Sequence, residues 1–472
     1  MPLRVGDQFA NALVTQDGLC RPVPTSRPHP PLPAAGDAAA DGRRRILMLS
    51  WEYPPVLVGG LGRHVHALSV ALANAGHEVT VVTRHAPGAP LEEYADGVRI
   101  IRAAEDPPLF PLATPSLLAW TMAFNHTLTR AALRATQTAE YDVIHAHDWL
   151  VTHTAVTLKE HLDIPLVATI HATEAGRHQG WLPDEMNKSI HSIEHWLGHE
   201  SCRVIACSGY MRWEVSHLLE LPASRVDVIA NGVNDRVWRS STRAVAAARE
   251  RYAADGPLIG FAGRLVYEKG VQHLIAALPW LRQRHPGLRV IVAGDGPYRG
   301  ELQAQAARLG VADLIDFAGF MTESQLPAVL GATDATVVPS LYEPFGMVAL
   351  EAAAAGAPLA VSATGGLAEI VEPGVTGTTF RPQDPHGLAQ AVHTLLSDEL
   401  FARRVARSAR QLVTRRYGWA TIAAQTAATY AAAVREAPGF NTRRAAAQLA
   451  GGAGKLVVPD GNLLAAVGGA VS

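Results

Sequence analysis

The chain has 472 residues, 48% of them hydrophobic, which is enough apolar material for two domains with full cores and far from the composition of a disordered protein. With 41 basic against 43 acidic residues the formal charge is −2, so nothing in the balance favours nucleic acid or an anionic membrane as a partner. Cys20, Cys202 and Cys207 have neither zinc-ligand nor disulfide spacing, and there is neither a long apolar run nor a basic-then-apolar N-terminus, so the expectation is a cytoplasmic protein with reduced thiols and no membrane span.

Residues 1–44 are rich in Pro, Ala and Gly without apolar periodicity and read as a disordered leader or an upstream start. The fold is expected to begin at Arg45 with the strand-type run RILML. In the following VGGLGRHVHALSVALANAGH, Leu61, Val65, Leu68, Leu72 and Ala75 recur at helical spacing until Gly76 ends the helix. Gly59 and Gly60, at the start of that helix, let the backbone approach a ligand where a Cβ would clash, although such turns also serve geometry alone. Strands over 78–83, 98–102 and 141–145 alternate with helical stretches, the pattern of a parallel sheet. The third leads into HAHDWL, which puts His145, His147 and Asp148 at a strand's carboxyl end, the edge at which open parallel sheets bind ligands. Metal ligation, buried hydrogen bonding and a sugar-facing Asp148 are all open to this cluster, which has no further ligand set in view. A strand over 165–171 runs into HATEAGRHQGW, where Glu174 and Arg177 follow His171; a helix-capping ion pair explains these two nearly as well as a cleft role does. Strands over 204–208 and 226–231 complete a first domain of residues 45–237.

The polar, Arg-rich stretch 236–256 reads as the connection to a second domain over 257–417, which opens with a strand at 257–263 and a helix through Leu278. Between them, in GRLVYEKG, a guanidinium fork at Arg264 and a point charge at Lys269 can converge on one pyrophosphate, the alternative being two solvated surface cations. Lys occurs only at 159, 188, 269 and 455, which makes its presence at 269 informative. Strands over 288–294, 315–320, 335–340 and 357–362 follow, and residues 340–372 read SLYEPFGMVALEAAAAGAPLAVSATGGLAEIVE. Pro344 suits a first helical position, which sets Glu343 at the mouth of a tightly packed helix and Glu351 roughly 12 Å along it. Amides at Gly346 and Met347 offer a diphosphate donors and the positive end of the helix dipole, though glutamates so placed also serve as mere caps. The chain to 437 is largely helical, with Tyr417, Trp419, Ile422 and Tyr430 suggesting an aromatic face on the last helix, and 438–472 reads as an Ala/Gly-rich tail, disordered or docked.

Together, SWEYPPVLVGGLG, HAHDW, TIHATEAGR, EPFGMVALE and TGGLAE resemble the family 4 retaining glycosyltransferases of the GT-B fold, the group that includes bacterial and archaeal glycogen synthases, over roughly residues 45–437. The resemblance implies an α/β protein of two doubly wound Rossmann-like domains facing across a cleft, with the helix over 418–437 crossing back to the first. It implies transfer of glucose from UDP- or ADP-glucose to an α-1,4-glucan, with retention and, in the absence of a DxD-type motif, with no metal or other cofactor. His171 would lie against the hexose, with Asp148 near the transferred sugar and Glu343 orienting its hydroxyls. Arg264, Lys269, Gly59, Gly60, Gly346 and Met347 would serve the diphosphate and Glu351 the ribose. Gly365, Gly366 and Leu367 would lie along the donor sugar, and Glu174 and Arg177 would face the acceptor. Val58 stands where glycogen synthases of the family often have a Lys, and main-chain recognition of the base, around 293–297 and 319–320, leaves its identity unreadable. The competing readings are a family 4 mannosyl- or glucosyltransferase acting on a lipid or small molecule, a non-catalytic sugar-nucleotide-binding protein, and a nucleotide-sugar epimerase of similar fold.

Overall fold

The computed structural model describes residues 42–57, 59–104, 112–113, 116–253, 255–322 and 324–450, with side chains described through Pro438. The leader up to residue 41, Val58 and the tail beyond 450 lie outside the described residues. Where the leader was expected to end, Arg43 pairs with Glu78 and the Arg44 amide donates to His77, so these two residues already belong to the fold.

Strands buried on both faces read as unbroken apolar runs, and ILML, VTVV and LVATI do so here. In chain order the first half contains β1 (Arg45–Leu49), α1 (Gly60–Asn74), β2 (Glu78–Thr83), β3 (Glu92–Ala95), β4 (Val98–Arg102), α2 (Leu117–Thr136), β5 (Val143–His147), α3 (Thr152–Leu162), β6 (Leu166–Ile170), α4 (Glu174–Arg177), α5 (Glu185–Glu200), β7 (Arg203–Ala206), α6 (Gly209–Leu218) and β8 (Val226–Val228). The strands form one sheet in the order β3-β4-β2-β1-β5-β6-β7-β8. It is parallel except for β3, an antiparallel edge strand whose polar, largely exposed EEYA carries no apolar signal.

The second half contains α7 (Thr242–Ala253), β9 (Leu258–Ala262), α8 (Val271–Arg284), β10 (Arg289–Ala293), α9 (Arg299–Arg308), β11 (Ile315–Gly319), α10 (Leu326–Gly331), β12 (Ala335–Val338), α11 (Met347–Ala355), β13 (Leu359–Ser362), α12 (Leu367–Ile370), β14 (Thr378–Phe380), α13 (Pro385–Ser397), α14 (Glu399–Arg416) and α15 (Trp419–Ala450). Its six strands form a parallel sheet in the order β11-β10-β9-β12-β13-β14. The stretch read as a connection holds α7, whose Val245 and Ala248 pack with Leu258, Ile291 and Val329 of the second domain. Helix α8 runs through Pro279 to Arg284 instead of stopping at Leu278. Ile422, Ala423, Tyr430 and Ala433 of α15 join Ile46, Met48, Val65, Val143 and Val167 in the first domain's core, so the last helix crosses back. It does not stop at 437: it carries the exposed Pro438 and reaches Ala450, into what was read as tail. Among the described residues no helix is long and apolar enough to cross a membrane.

Each sheet changes direction once, at β1/β5 and at β9/β12. Ligands of open α/β sheets bind beyond the strands' carboxyl ends at such points. The loops there are 50–59 and 148–152 in the first domain, and 263–270 and 339–346 in the second.

Candidate functional site

The first-domain floor is built by β5 and β6. His145 and His147 are two apart on β5 and share a face; His145 is hydrogen-bonded to Tyr430 of α15 and to Thr169, each at 2.7 Å. His147 Nδ1 lies 3.2 Å from His171 Nε2. Asp148 follows with φ 59° and ψ 176°, a conformation that costs a side-chain-bearing residue about 1–3 kcal/mol and persists only where neighbours impose it. They do: its amide donates to Thr169 O at 3.0 Å, and its Oδ1 accepts the His171 amide at 2.8 Å. Burial pushes the Asp148 carboxyl up, against the pull of His171. Burial pushes His171 down, opposed by Asp148 and Glu52, and holds His64 and His147 well below the usual imidazole range. His64 and His147 are buried, so of these rings His171, half-buried, is the one left to exchange hydrogen bonds with a ligand's hydroxyls.

His64, from α1, brings a ring nitrogen within 4.8 Å of nitrogens of His147 and His171; among the described residues this is the group with metal-ligand character. The sequence hid it, because only His147 of the HxH pair belongs to the group, and its other members lie eighty-odd residues upstream and about two dozen downstream. The His147–His171 hydrogen bond occupies one nitrogen of each, an arrangement that requires no ion.

The glycine loop is tied down by the buried Glu52, whose carboxylate accepts the Gly59 amide at 2.9 Å. A Cβ at Gly62 would come within 2.9 Å of Glu52 and 2.7 Å of Leu57, so the third glycine is there for packing. A Cβ at Gly59 or Gly60 would meet nothing within 4 Å, so protein packing does not require glycine at either.

Across the cleft, Gly270 has φ +73° and sits so close to residue 339 that a Cβ would be 1.9 Å from Pro339 O. That approach lays the 264–270 loop along residues 339–343, with the Leu341 amide donating to Glu268 O at 2.7 Å. Lys269 Nζ consequently meets Glu343 Oε2 at 2.7 Å, and Ser340 Oγ donates to the same oxygen at 3.0 Å. Arg264 is exposed, and with Lys269, Glu268 and Tyr342 it lines a cavity completed from the first domain by Ala172 and Arg177.

The central helix begins later than Pro344 suggested. Gly346 adopts φ +116°, and a Cβ there would strike Leu367 at 2.7 Å, so residues 343–346 bend and α11 starts at Met347. Glu343 thus stands ahead of the helix rather than at its mouth, and the roughly 12 Å separation reckoned along a continuous helix does not apply. The amide of Met347 remains in the first turn, which has no intrahelical acceptor. Glu351 is 3% exposed and 3.5 Å from Arg63 of α1. Gly365, with φ +49°, passes so near Glu343 O that a Cβ would be 2.0 Å away, and the Gly366 amide donates to that oxygen at 2.9 Å. Residues 365–367 are therefore clamped onto the Glu343 segment.

Glu174 is engaged within its own domain. Its carboxylate accepts from Asn187, with His178 at 3.4 Å, and is held inside the first domain because α4 lies against α5 there. The sequence reading also passed over Glu52, Arg63, Tyr342 and Glu214. Tyr342 of the second domain donates to the buried Glu214 of the first at 2.8 Å, beside Thr173 Oγ1 at 2.6 Å. For Glu52 and Glu214 the available signal was an acid beside aromatic residues, in SWEY and MRWEV.

Residues 58–237 match the family described as Glycosyltransferase Family 4, and residues 245–412 match that described as Glycosyl transferases group 1. A glycogen synthase of Mycobacterium tuberculosis is 46% identical over 402 residues, which cover 83% of this chain and 95% of that protein. A D-inositol 3-phosphate glycosyltransferase of Streptomyces scabiei is 31% identical over 421 residues, 85% of this chain and 94% of its own. Among solved structures, sucrose-phosphate synthase from Thermosynechococcus elongatus has a TM-score of 0.72 at 26% identity, over 82% of this chain and 98% of that one.

Proposed function

The chain belongs to the family 4 glycosyltransferases, and from that premise we propose that it transfers glucose from UDP- or ADP-glucose to an α-1,4-glucan, keeping the anomeric configuration. The observation that carries the site's part in this reading is the cavity lined by Arg177 from one domain and by Arg264 and Lys269 from the other. Arg264 and Lys269 on one wall of this opening suit a departing diphosphate, whose charge develops as the glycosidic bond breaks, and Arg177 on the other wall is placed for the acceptor. The similarity to a glycogen synthase supports glucose as the sugar and a glucan as acceptor.

In this mechanism the donor's diphosphate rests on Arg264, Lys269 and the amides of Gly346 and Met347, with Gly59 and Gly60 closing from the other side. Gly365, Gly366 and Leu367 run along the sugar, and Glu343, freed from Lys269 as that cation turns to the phosphates, orients its hydroxyls. His171 and Asp148 hold the opposite face, and Glu351 takes the ribose with Arg63 beside it. The bond from the anomeric carbon to the diphosphate oxygen breaks, and the acceptor hydroxyl attacks on the same face. Its proton passes to the leaving phosphate oxygen. The cations and amides are sufficient for this charge, so no metal or other cofactor is part of the proposal. Its partners are a nucleotide sugar and a glucan, without nucleic acid. A cytoplasmic location belongs to the same proposal, supported by the two buried free thiols, Cys202 and Cys207.

The test offers purified protein UDP-glucose, ADP-glucose and GDP-mannose, each with maltooligosaccharides, inositol phosphate or a phosphoinositide lipid. The expected product is an α-linked, lengthened glucan, formed equally well in excess chelator. Product only with an inositol or lipid acceptor would overturn the glucan assignment, nucleotide binding without any turnover would overturn the enzyme, and abolition by chelator with rescue by Mg²⁺ would overturn the metal-free mechanism.

A further inference from the structure

Glu369 belongs to α12 of the second domain, but its carboxylate is spent on the first. Oε2 accepts the Gly209 amide at 3.0 Å and Oε1 the Tyr210 amide at 2.7 Å. These are the first two amides of α6, and the next, at Met211, is taken by the cap residue Ser208 at 3.0 Å. Helix starts leave such amides without intrahelical acceptors and carry partial positive charge. Here they are satisfied by a residue 160 positions away in the other domain. Ser208 Oγ in turn donates to Pro344 O at 2.7 Å. The start of α6 is thus pinned to two second-domain segments, 343–345 and 364–369, and these are the segments clamped together at Gly365 and Gly366.

We propose that Glu369 is a positioning residue that couples donor loading to closure of the cleft. The loop that carries Gly365, Gly366 and Leu367 along the donor sugar also carries Glu369, so a donor that orders the loop sets the carboxylate where it captures α6. Capture draws β7 inward and, through β6, also β5, and with them His171 and Asp148. In the open form both partners are hydrated, so the contact is weak until the loop is ordered; this makes it responsive to the donor instead of permanently shut. The inference rests on the assignment of 365–367 to the donor.

Small-angle scattering of the full chain with and without UDP-glucose and ADP-glucose, in the absence of acceptor and read beside steady-state kinetics, tests it. Wild type is expected to contract when nucleotide sugar is added. Glu369→Ala is expected to stay extended and to lose about tenfold or more in kcat, with its nucleotide-sugar Kd weakened by the lost coupling while the Kd of UDP alone stays within about twofold, because the diphosphate contacts lie elsewhere. Glu369→Gln, with one accepting oxygen left, should fall between. Gly209→Pro removes a donor amide at a first helical position, where proline is tolerated, and should match Glu369→Gln although the carboxylate is intact. Contraction and kcat of Glu369→Ala at wild-type values would overturn the inference alone. A wild type that binds neither nucleotide sugar would instead bring down the reading of the site, and the inference with it.

Discussion

Lys269 and Glu343 form a pairing in the cleft whose removal from each side gives different numbers. Lys269 Nζ is 2.7 Å from Glu343 Oε2, with the two side chains 28% and 12% exposed. Removing the lysine takes a positive charge from the leaving diphosphate and also leaves the carboxylate facing it without its counter-ion. A unit charge at roughly 4 Å in a surroundings of effective dielectric about 20 is worth ~4 kcal/mol, so Lys269→Ala should lower kcat/KM by about a thousandfold. If half of that loss is the exposed carboxylate, Glu343→Gln in the same chain recovers about 2 kcal/mol, or roughly thirtyfold, although by itself it lowers activity by loosening the sugar. The four proteins of the cycle would be assayed for nucleoside diphosphate release with glucan in excess. Additive losses, with the double variant worse than Lys269→Ala, would refute the reasoning and place the lysine's working position away from both glutamate and phosphate.

Gly365→Ala, which drives a Cβ to 2.0 Å from Glu343 O at φ +49°, should cut kcat by about a hundredfold or more, whereas Gly374→Ala, also left-handed at φ +77° but with open space around it, should cost about 1–2 kcal/mol of stability and leave turnover intact; equal effects in melting and kinetics would contradict this. Arg177→Ala should raise the acceptor KM more than the donor KM, while Glu174→Ala, which removes one of the partners of Asn187 Nδ2, should lower the melting temperature and leave both KM values near wild type. Burial raises the Glu194 carboxyl to about 7, opposed by His191 and by the Glu174 amide. Between about pH 4.5 and 7 the unfolded chain therefore releases a proton that the folded one keeps, and stability falls as pH rises, by at most about 3 kcal/mol, with no further loss above. The histidines held below their ordinary value act in the opposite direction over this range, so the Glu194 share is read by denaturation as a difference: from pH 5 to pH 8 wild type should lose more stability, or gain less, than Glu194→Gln.

The central strands were legible because they are largely apolar runs between glycine, proline or charged punctuation, the composition expected of a parallel strand covered on both faces. Where that condition fails, legibility fails: β3 is EEYA on an exposed edge, and α15 passes through Pro438, which ends a helix on local rules but here sits on the exposed side of one anchored by Tyr430 and Ala433. Single-segment features such as GRLVYEKG, HAHD and TGGLAE stood out for the same reason, since their glycines and charges interrupt apolar runs. What those segments meet is a matter of sheet order and of long-range contacts with no local signature. Glu174 and Arg177, three residues apart, part company because α5 captures only the first. The start of α11 moves from Pro344 to Met347 because Leu367, twenty-one residues on, fills the space beside Gly346. His64, His147 and His171 become neighbours only once β5 lies between β1 and β6. Glu369 reads as an ordinary first-turn acid of its own short helix, and its amides belong to another helix in another domain. Patterning within a segment states what must be buried, whereas the partner of a buried or bridging polar group depends on which segments the sheets bring side by side.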